Sequence, residues 1–263
     1  MAVSMPELIA DLRAETAELV ALVRPLGEAA WLTPTPAEGW SVRDQIAHLA
    51  WFDDAAVRAV TDPGGFRAEL PAMAGRLDTA VDDLVAASRT LPGARVLDWF
   101  LRARERALEV FATLDPRRRV PWYGPDMSAA SFVTARLMET WAHGQDVADA
   151  LGVTRTPTAR LRHVALLGVR ALPYGFAVRG LPVPDDPVRV ELTLPDGTPW
   201  QAGDADAADV VRGPALDFCL VVTQRRHPAD TALEVVGETA RAWLAVAQAF
   251  AGPPGKGRAP LRG

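Results

Sequence analysis

The stretch Gly39-Trp40-Ser41-Val42-Arg43-Asp44-Gln45-Ile46-Ala47-His48-Leu49 decides how the chain is read, together with Glu139-Thr140-Trp141-Ala142-His143 about ninety residues later. Ser41 followed three positions on by Asp44 is a helix-start signal, and Ile46, Leu49, Ala50, Phe52 and Val57 continue a helical period behind it. His48 therefore sits inside an apolar helix. Glu139 and His143 are spaced i, i+4, so on a helix both side chains leave one face a turn apart. With only four histidines in the chain, two of them in helix interiors carry weight. The pattern has two readings. Glu and His one turn apart form a surface pair worth a few tenths of a kcal/mol. Alternatively, if the two helices pack face to face, two imidazoles and a carboxylate converge in a bundle as a three-donor metal site with an open position. The apolar neighbours Leu49, Trp51, Leu137, Met138 and Trp141 favour the second, because burying these polar groups without compensation is costly.

Working outward, the first half reads as helices. Ser4 caps one with Pro6 and Glu7 in its first turn, running to about Arg24. A Pro- and Thr-rich loop spans Trp31 to Trp40. The His48 helix ends before Asp62-Pro63-Gly64-Gly65. Helix follows from about Phe66 to Thr90, then from Leu97 to Leu114, with Leu91-Pro92-Gly93 as punctuation; one broken helix or two both fit the pattern. A second aromatic loop spans Val120 to Asp126, and Ser128 opens a helix that Gly152 closes.

The second half changes character. Thr156 to about Phe176 is expected as one helix. Val188, Val190, Leu192 and Leu194 alternate with polar residues as in a strand, Asp196-Gly197 is a hairpin turn, and Thr198–Gly203 and Ala208–Arg212 supply two more strands. Helices are expected from Pro214 to about Thr223 and from Ala229 to Phe250. The fold class is thus mostly α with a small α+β second domain: a helical bundle over 1–153, an α+β module over 154–252, and a loose tail over 253–263.

At 263 residues, 49% hydrophobic and 23% charged, the chain can bury a full core. A net charge of −5 argues against general nucleic-acid affinity, and Arg117-Arg118-Arg119 is short enough to be loop solvation or an anion contact. Cys219, the only cysteine, is flanked by apolar residues and reads as a buried, inert thiol. With no apolar run of membrane length and no secretion signal at the N-terminus, a cytoplasmic protein without a membrane partner is expected. Monomer and homodimer both remain open. His163 and His227 suit core, surface or loop roles better than metal ligation. Asp146, three residues past His143, suits a contact behind the ligand or, more simply, a solvated helix face; Asp44 is explained by capping.

These motifs resemble the DinB-like metalloproteins, and most closely the mycothiol-dependent maleylpyruvate isomerase group. Val211-Arg212-Gly213-Pro214-Ala215-Leu216-Asp217-Phe218 leading to Thr223-Gln224-Arg225 resembles that group's C-terminal module. The resemblance implies a DinB-like four-helix bundle of unusual connectivity followed by a sterol-carrier-like α+β module. It implies a divalent metal, zinc above all, held by His48, Glu139 and His143, with an open position for a low-molecular-weight thiol such as mycothiol as cosubstrate. It further implies an arginine reaching the substrate, for which Arg225 matches best and Arg226 stands alongside, although Gln224 replaces the usual glycine. The aromatic residues Trp40, Trp122 and Tyr123, with Trp31, are expected over the mouth of the site or covering the bundle end. The expected function is thiol-dependent isomerisation or S-transfer on an electrophilic small molecule; a metal-water hydrolase and a non-catalytic metal-binding module are the alternatives.

Overall fold

The computed structural model describes residues 4–73 and 76–261, with the side chains of 77 and 78 set aside. The chain divides after Arg155 into two compact units. The first is built on four long helices, α1 (Met5–Val23), α3 (Val42–Thr61), α6 (Gly93–Ala112) and α7 (Ala129–Leu151). Helix α3 packs against α6 and α7, and α1 packs against α7 and α6, so chain order crosses the bundle rather than running round it. The starts are set locally. Ser4 with Glu7, and Ser41 with Asp44, form reciprocal capping boxes, and Ser128 Oγ accepts from Ser131 N–H. Gly152, at φ +66°, closes α7 in the left-handed conformation expected of it. Leu19, Ile46, Leu49, Val96, Phe100 and Val147 meet in the core.

The stretch expected as helix from Phe66 to Thr90 is two helices, α4 (Pro63–Met73) and α5 (Leu77–Ser88). The start of α4 moves upstream because Asp62 Oδ1 accepts from Gly65 N–H at 2.9 Å and Pro63 suits the first helical position. Likewise α6 begins at Gly93, whose N–H donates to the Glu28 carboxylate at 3.0 Å. A one-turn helix α2 (Glu28–Trp31) and a two-stranded ribbon, β1 (Arg119–Val120) with β2 (Met127–Ser128), are too short to leave a pattern in the sequence.

One buried network ties the four long helices together. Arg104 of α6 donates from Nε to Asp53 Oδ2 of α3 at 2.7 Å and from Nη2 to Thr140 Oγ1 of α7 at 3.0 Å; Nη1 donates to Thr16 Oγ1 of α1. A guanidinium with five donors suits this role, and only pairing makes its burial tolerable.

In the second unit a four-stranded sheet has the order β4-β3-β5-β6, with β3 (Val188–Thr193), β4 (Pro199–Ala202), β5 (Asp209–Pro214) and β6 (Glu234–Val236). The β3–β4 hairpin and the buried Val188, Val190 and Leu192 follow the expected alternation, and β5 runs parallel to β3. The helix expected from Thr156 to Phe176 is instead α8 (Leu161–Arg170) and α9 (Leu172–Ala177), because Pro173 has no N–H to continue α8. Helix α10 (Ala215–Val222) forms as expected. The final helix is shorter than expected: residues 228–230 form a 3₁₀ turn, and β6 then pairs antiparallel with β5 through Val211↔Val235 before α11 (Glu238–Val246). Tertiary pairing of the β-branched Val235 and Val236 overrides the helical period there. Residues 253–261, expected as a loose tail, are held by hydrogen bonds from Arg179 Nη2 to Gly255 O (2.9 Å) and from Leu261 N–H to the Asp230 carboxylate (2.9 Å). Among the described residues no helix is long and apolar enough to cross a membrane.

Candidate metal centre

Helices α3 and α7 lie side by side in the bundle and each contributes one polar stripe. Gln45, His48 and Phe52 follow one another at i, i+3 and i+7 on α3, and Arg136, Glu139 and His143 do so on α7. Their facing brings the His48, Glu139 and His143 donors within 4.8 Å of one another. His143 Nε2 lies 3.1 Å from Glu139 Oε2, and His48 Nε2 lies 3.8 Å from the same oxygen. The two imidazole centroids are 4.4 Å apart.

A chain of hydrogen bonds orients the His143 ring. Thr35 Oγ1 donates its single proton to Trp40 O at 2.9 Å, so it must accept from Gln45 Nε2, which lies 2.8 Å away. Gln45 is therefore oriented with Oε1 toward His143 Nδ1, which donates to it. His143 Nε2 then faces a carboxylate oxygen at 3.1 Å. A ring nitrogen and a carboxylate oxygen at that distance are bridged either by a proton or by a bound cation. His48 Nδ1 is buried with no hydrogen-bond partner among the described residues. Two imidazoles and one carboxylate, one imidazole held by a hydrogen bond through its far nitrogen, form a donor set that fits a divalent ion.

The electrostatics agree. Burial, with the neighbouring His143 second, pushes His48 down to about 4 despite Glu139, so its imidazole is neutral and available for ligation near neutral pH. Burial pushes the Glu139 carboxyl up, but the two imidazoles and the Arg136 charge outweigh it and hold the group well below the usual range. Arg136, 4% exposed, has Nη2 4.0 Å from Glu139 Oε1 and lies against the rings of Phe52 and Trp122 at 5.6 and 5.4 Å. Its own pKa is pulled down by burial and held up by Glu139 and Asp53.

Loss of the Gln45 acceptor is expected to loosen the site without dismantling it. Gln45→Leu should bind zinc roughly 10–100-fold more weakly in a chelator competition. Gln45→Glu, which keeps an acceptor facing Nδ1, should recover most of the loss. Equal affinity in the wild type and Gln45→Leu would show that this hydrogen-bond chain does not serve the imidazole.

Residues 12–148 match the family described as the mycothiol maleylpyruvate isomerase N-terminal domain. The chain belongs to that family. Two uncharacterized proteins from two strains of Mycobacterium tuberculosis are each 50% identical to it over 254 residues, 95% of this chain and 97% of theirs. The crystal structure of the mycothiol-dependent maleylpyruvate isomerase shares its fold, with a TM-score of 0.59 at 17% identity over 85% of this chain and 90% of that one. A mutant of that enzyme matches at 0.60 and 18%, with the same coverage.

His48, Glu139 and His143 all lie within the segment that carries the mycothiol maleylpyruvate isomerase match. So does Trp40, whose ring lies 5.3 Å from His48 and 6.1 Å from His143, held by Nε1 donating to Asp82 Oδ1 at 3.1 Å. Trp122 and Tyr123 sit one ring further out: Phe52 contacts His48, and Trp122 and Tyr123 in turn contact Phe52. Trp122 also stacks on Phe66 and meets Phe132 edge-on, which makes it a core residue, and burial pushes the Tyr123 phenol up to about 12. Trp31, also buried, belongs to the core around Val96 and Phe100.

Arg225 and Arg226 follow α10 in the second unit. Arg225 Nη1 donates to Thr223 O, and both backbone N–H groups return to Leu220 O. His163 is buried in α8, and His227 Nδ1 accepts from Ala229 N–H to start the 3₁₀ turn, so neither joins the cluster. Cys219 is fully buried and burial pushes its thiol up, in keeping with an inert group. Asp146, expected on a solvated face, is instead 1% exposed, because α7 is enclosed along most of its length. Asp44 does more than cap: its carboxylate also pairs with Arg89, the residue that follows α5, at 3.1 Å. Gln45, Thr35 and Arg136 were not singled out from the sequence. The spacing Gln45 to His48 is the one signal that pointed to any of them.

Proposed function

We propose that this chain is a divalent-metal-dependent enzyme of thiol chemistry, holding zinc through His48, Glu139 and His143. The observation that carries the reading is the convergence of the His48, Glu139 and His143 donor atoms to within 4.8 Å of one another, with His143 held through Nδ1 by Gln45. Bound there, the ion would supply a Lewis-acid position at which a thiol is held as thiolate near neutral pH. Membership of the mycothiol maleylpyruvate isomerase family supports a mycothiol-type thiol as that cosubstrate and an electrophilic small molecule as its partner.

The chain's own residues serve this chemistry in distinct ways. Glu139 contributes the negative charge that offsets the cation, and Arg136 adds a nearby positive charge to the imidazole contacts that hold that carboxyl's pKa low. Gln45 orients the His143 ring by accepting from Nδ1. Trp40 packs against both imidazoles and Phe52 against that of His48, which holds the two rings in place. Arg225 would receive a substrate carboxylate as a fork, with Arg226 beside it. The reaction class is addition of the thiol to an electrophilic carbon. Loss of the same thiol after bond rotation gives isomerisation, and its retention gives transfer.

The test is turnover of unsaturated dicarboxylic acids and of electrophilic thiol acceptors by zinc-loaded protein, with and without mycothiol. Product formation that needs both the thiol and the metal supports the reading. Metal-dependent turnover of ester or amide substrates without any thiol would replace it with hydrolysis.

A further inference from the structure

Among the described residues two arginines are buried, both in the helical bundle, and their surroundings differ. Arg104 donates from Nε, Nη1 and Nη2 to Asp53, Thr16 and Thr140. Arg136 of α7 is buried as deeply, yet its Nε and Nη1 have no hydrogen-bond partner among the described residues. Its guanidinium carbon lies 5.6 Å from the centroid of the Phe52 ring and 5.4 Å from that of Trp122, and both rings are buried. A buried cation with so few partners is costly, and an apolar side chain of similar volume would sit there at lower cost. Holding the fold together therefore does not explain Arg136.

Its charged neighbours indicate another task. Of the two acids near it, Asp53 is already paired with Arg104 at 2.7 Å. That leaves Glu139, three residues further along α7, whose Oε1 lies 4.0 Å from Arg136 Nη2. The two oxygens of Glu139 thus have different surroundings. Oε2 faces the imidazoles, 3.1 Å from His143 Nε2 and 3.8 Å from His48 Nε2. Oε1 faces the guanidinium. Contact with the Phe52 and Trp122 rings holds that guanidinium in place.

We infer that Arg136 is a positioning residue that makes Glu139 a one-oxygen ligand, an inference that rests on the metal assignment proposed above. Attraction to the guanidinium turns Oε1 away from the ion, and the same positive charge repels the ion from that side of the carboxylate. Oε2 alone then joins the two imidazoles. The remaining coordination position stays available to a thiol instead of closing on the second carboxylate oxygen. Loss of the Arg136 charge should therefore act in opposite directions on metal and thiol, whereas loss of a merely structural residue would weaken both.

Arg136→Met, which keeps an apolar stem against Phe52 and Trp122, tests this in the full chain without any measurement of turnover. By chelator competition, R136M should bind zinc as tightly as the wild type or more tightly. Its cobalt-loaded form should bind mercaptoethanol roughly tenfold or more weakly, read from the thiolate-to-cobalt charge-transfer band. In the infrared difference between zinc-loaded and zinc-free protein, the splitting of the asymmetric and symmetric carboxylate stretches should be wide in the wild type, as for ligation through one oxygen, and narrow in R136M. A narrow splitting in the wild type would overturn the inference with no variant needed. Unchanged mercaptoethanol affinity in R136M, or weaker binding of both zinc and mercaptoethanol, would overturn it as well, while leaving the metal assignment standing. Wild-type protein that binds neither zinc nor cobalt would instead remove the metal assignment, and this inference with it.

Discussion

Replacing His143 by alanine is expected to leave the protein with less than about a tenth of a zinc ion per chain, measured after gel filtration, and to abolish metal-dependent turnover. With one of the three proposed ligands removed, the affinity loss should exceed the roughly 10–100-fold attached to a supporting residue such as Gln45. Helical content should survive, because His143 lies at the edge of the packed interior and α7 remains enclosed by Phe132, Leu137, Met138 and Val147. His48→Ala and Glu139→Ala should behave alike, since each takes one of the three mutually close donors. Full metal content in any of the three variants would remove that residue from the ligand set. Stripping the wild type with a chelator should reproduce the inactive state and re-addition of zinc should reverse it, which separates ligand loss from misfolding.

The second large effect concerns stability. Arg104→Met should cost about 3–5 kcal/mol, read as a lower denaturant midpoint, because it leaves Asp53 charged and buried without its partner. Both side chains are essentially inaccessible, at 3% and 0% exposed. Against a total stability on the order of 5–15 kcal/mol, such a loss brings the bundle close to unfolding at physiological temperature. Adding Asp53→Leu to Arg104→Met should restore much of the loss, since removing both charges is far cheaper than removing one. A loss below about 1 kcal/mol in the single variant would mean that the network across α1, α3, α6 and α7 is incidental.

The sequence announces those parts of this structure whose causes are local. Ser41 with Asp44 is a capping box in any context, and Glu139 with His143 share a face on any helix. The β3–β4 hairpin follows from Asp196-Gly197 in the same way. What stayed hidden depends on distant partners. Nothing near Arg104 in sequence foretells Asp53, Thr16 and Thr140, and nothing near Arg136 foretells its place against Phe52 and Trp122. Gln45 was visible as a residue of the motif, but its role requires Thr35 and Trp40 from the preceding loop. In the second unit, Val235 and Val236 were absorbed into a helical period because their pairing with β5 is a tertiary event. Gln224 is the reverse case. Its left-handed φ costs about 1–2 kcal/mol, a cost that glycine would avoid. Here the strain is partly offset by Gln224 Nε2 donating to Ala247 O at 3.0 Å.

The central claim is that one cation is gripped by two imidazoles and one carboxylate from α3 and α7. X-ray absorption fine structure of the zinc-loaded, thiol-free protein tests it most directly. The spectrum should show two imidazole nitrogens at about 2.0–2.1 Å, an oxygen contribution near the same distance and no sulfur. A sulfur shell near 2.3 Å, or an all-oxygen shell without imidazole scattering, would place the ion elsewhere and contradict the account.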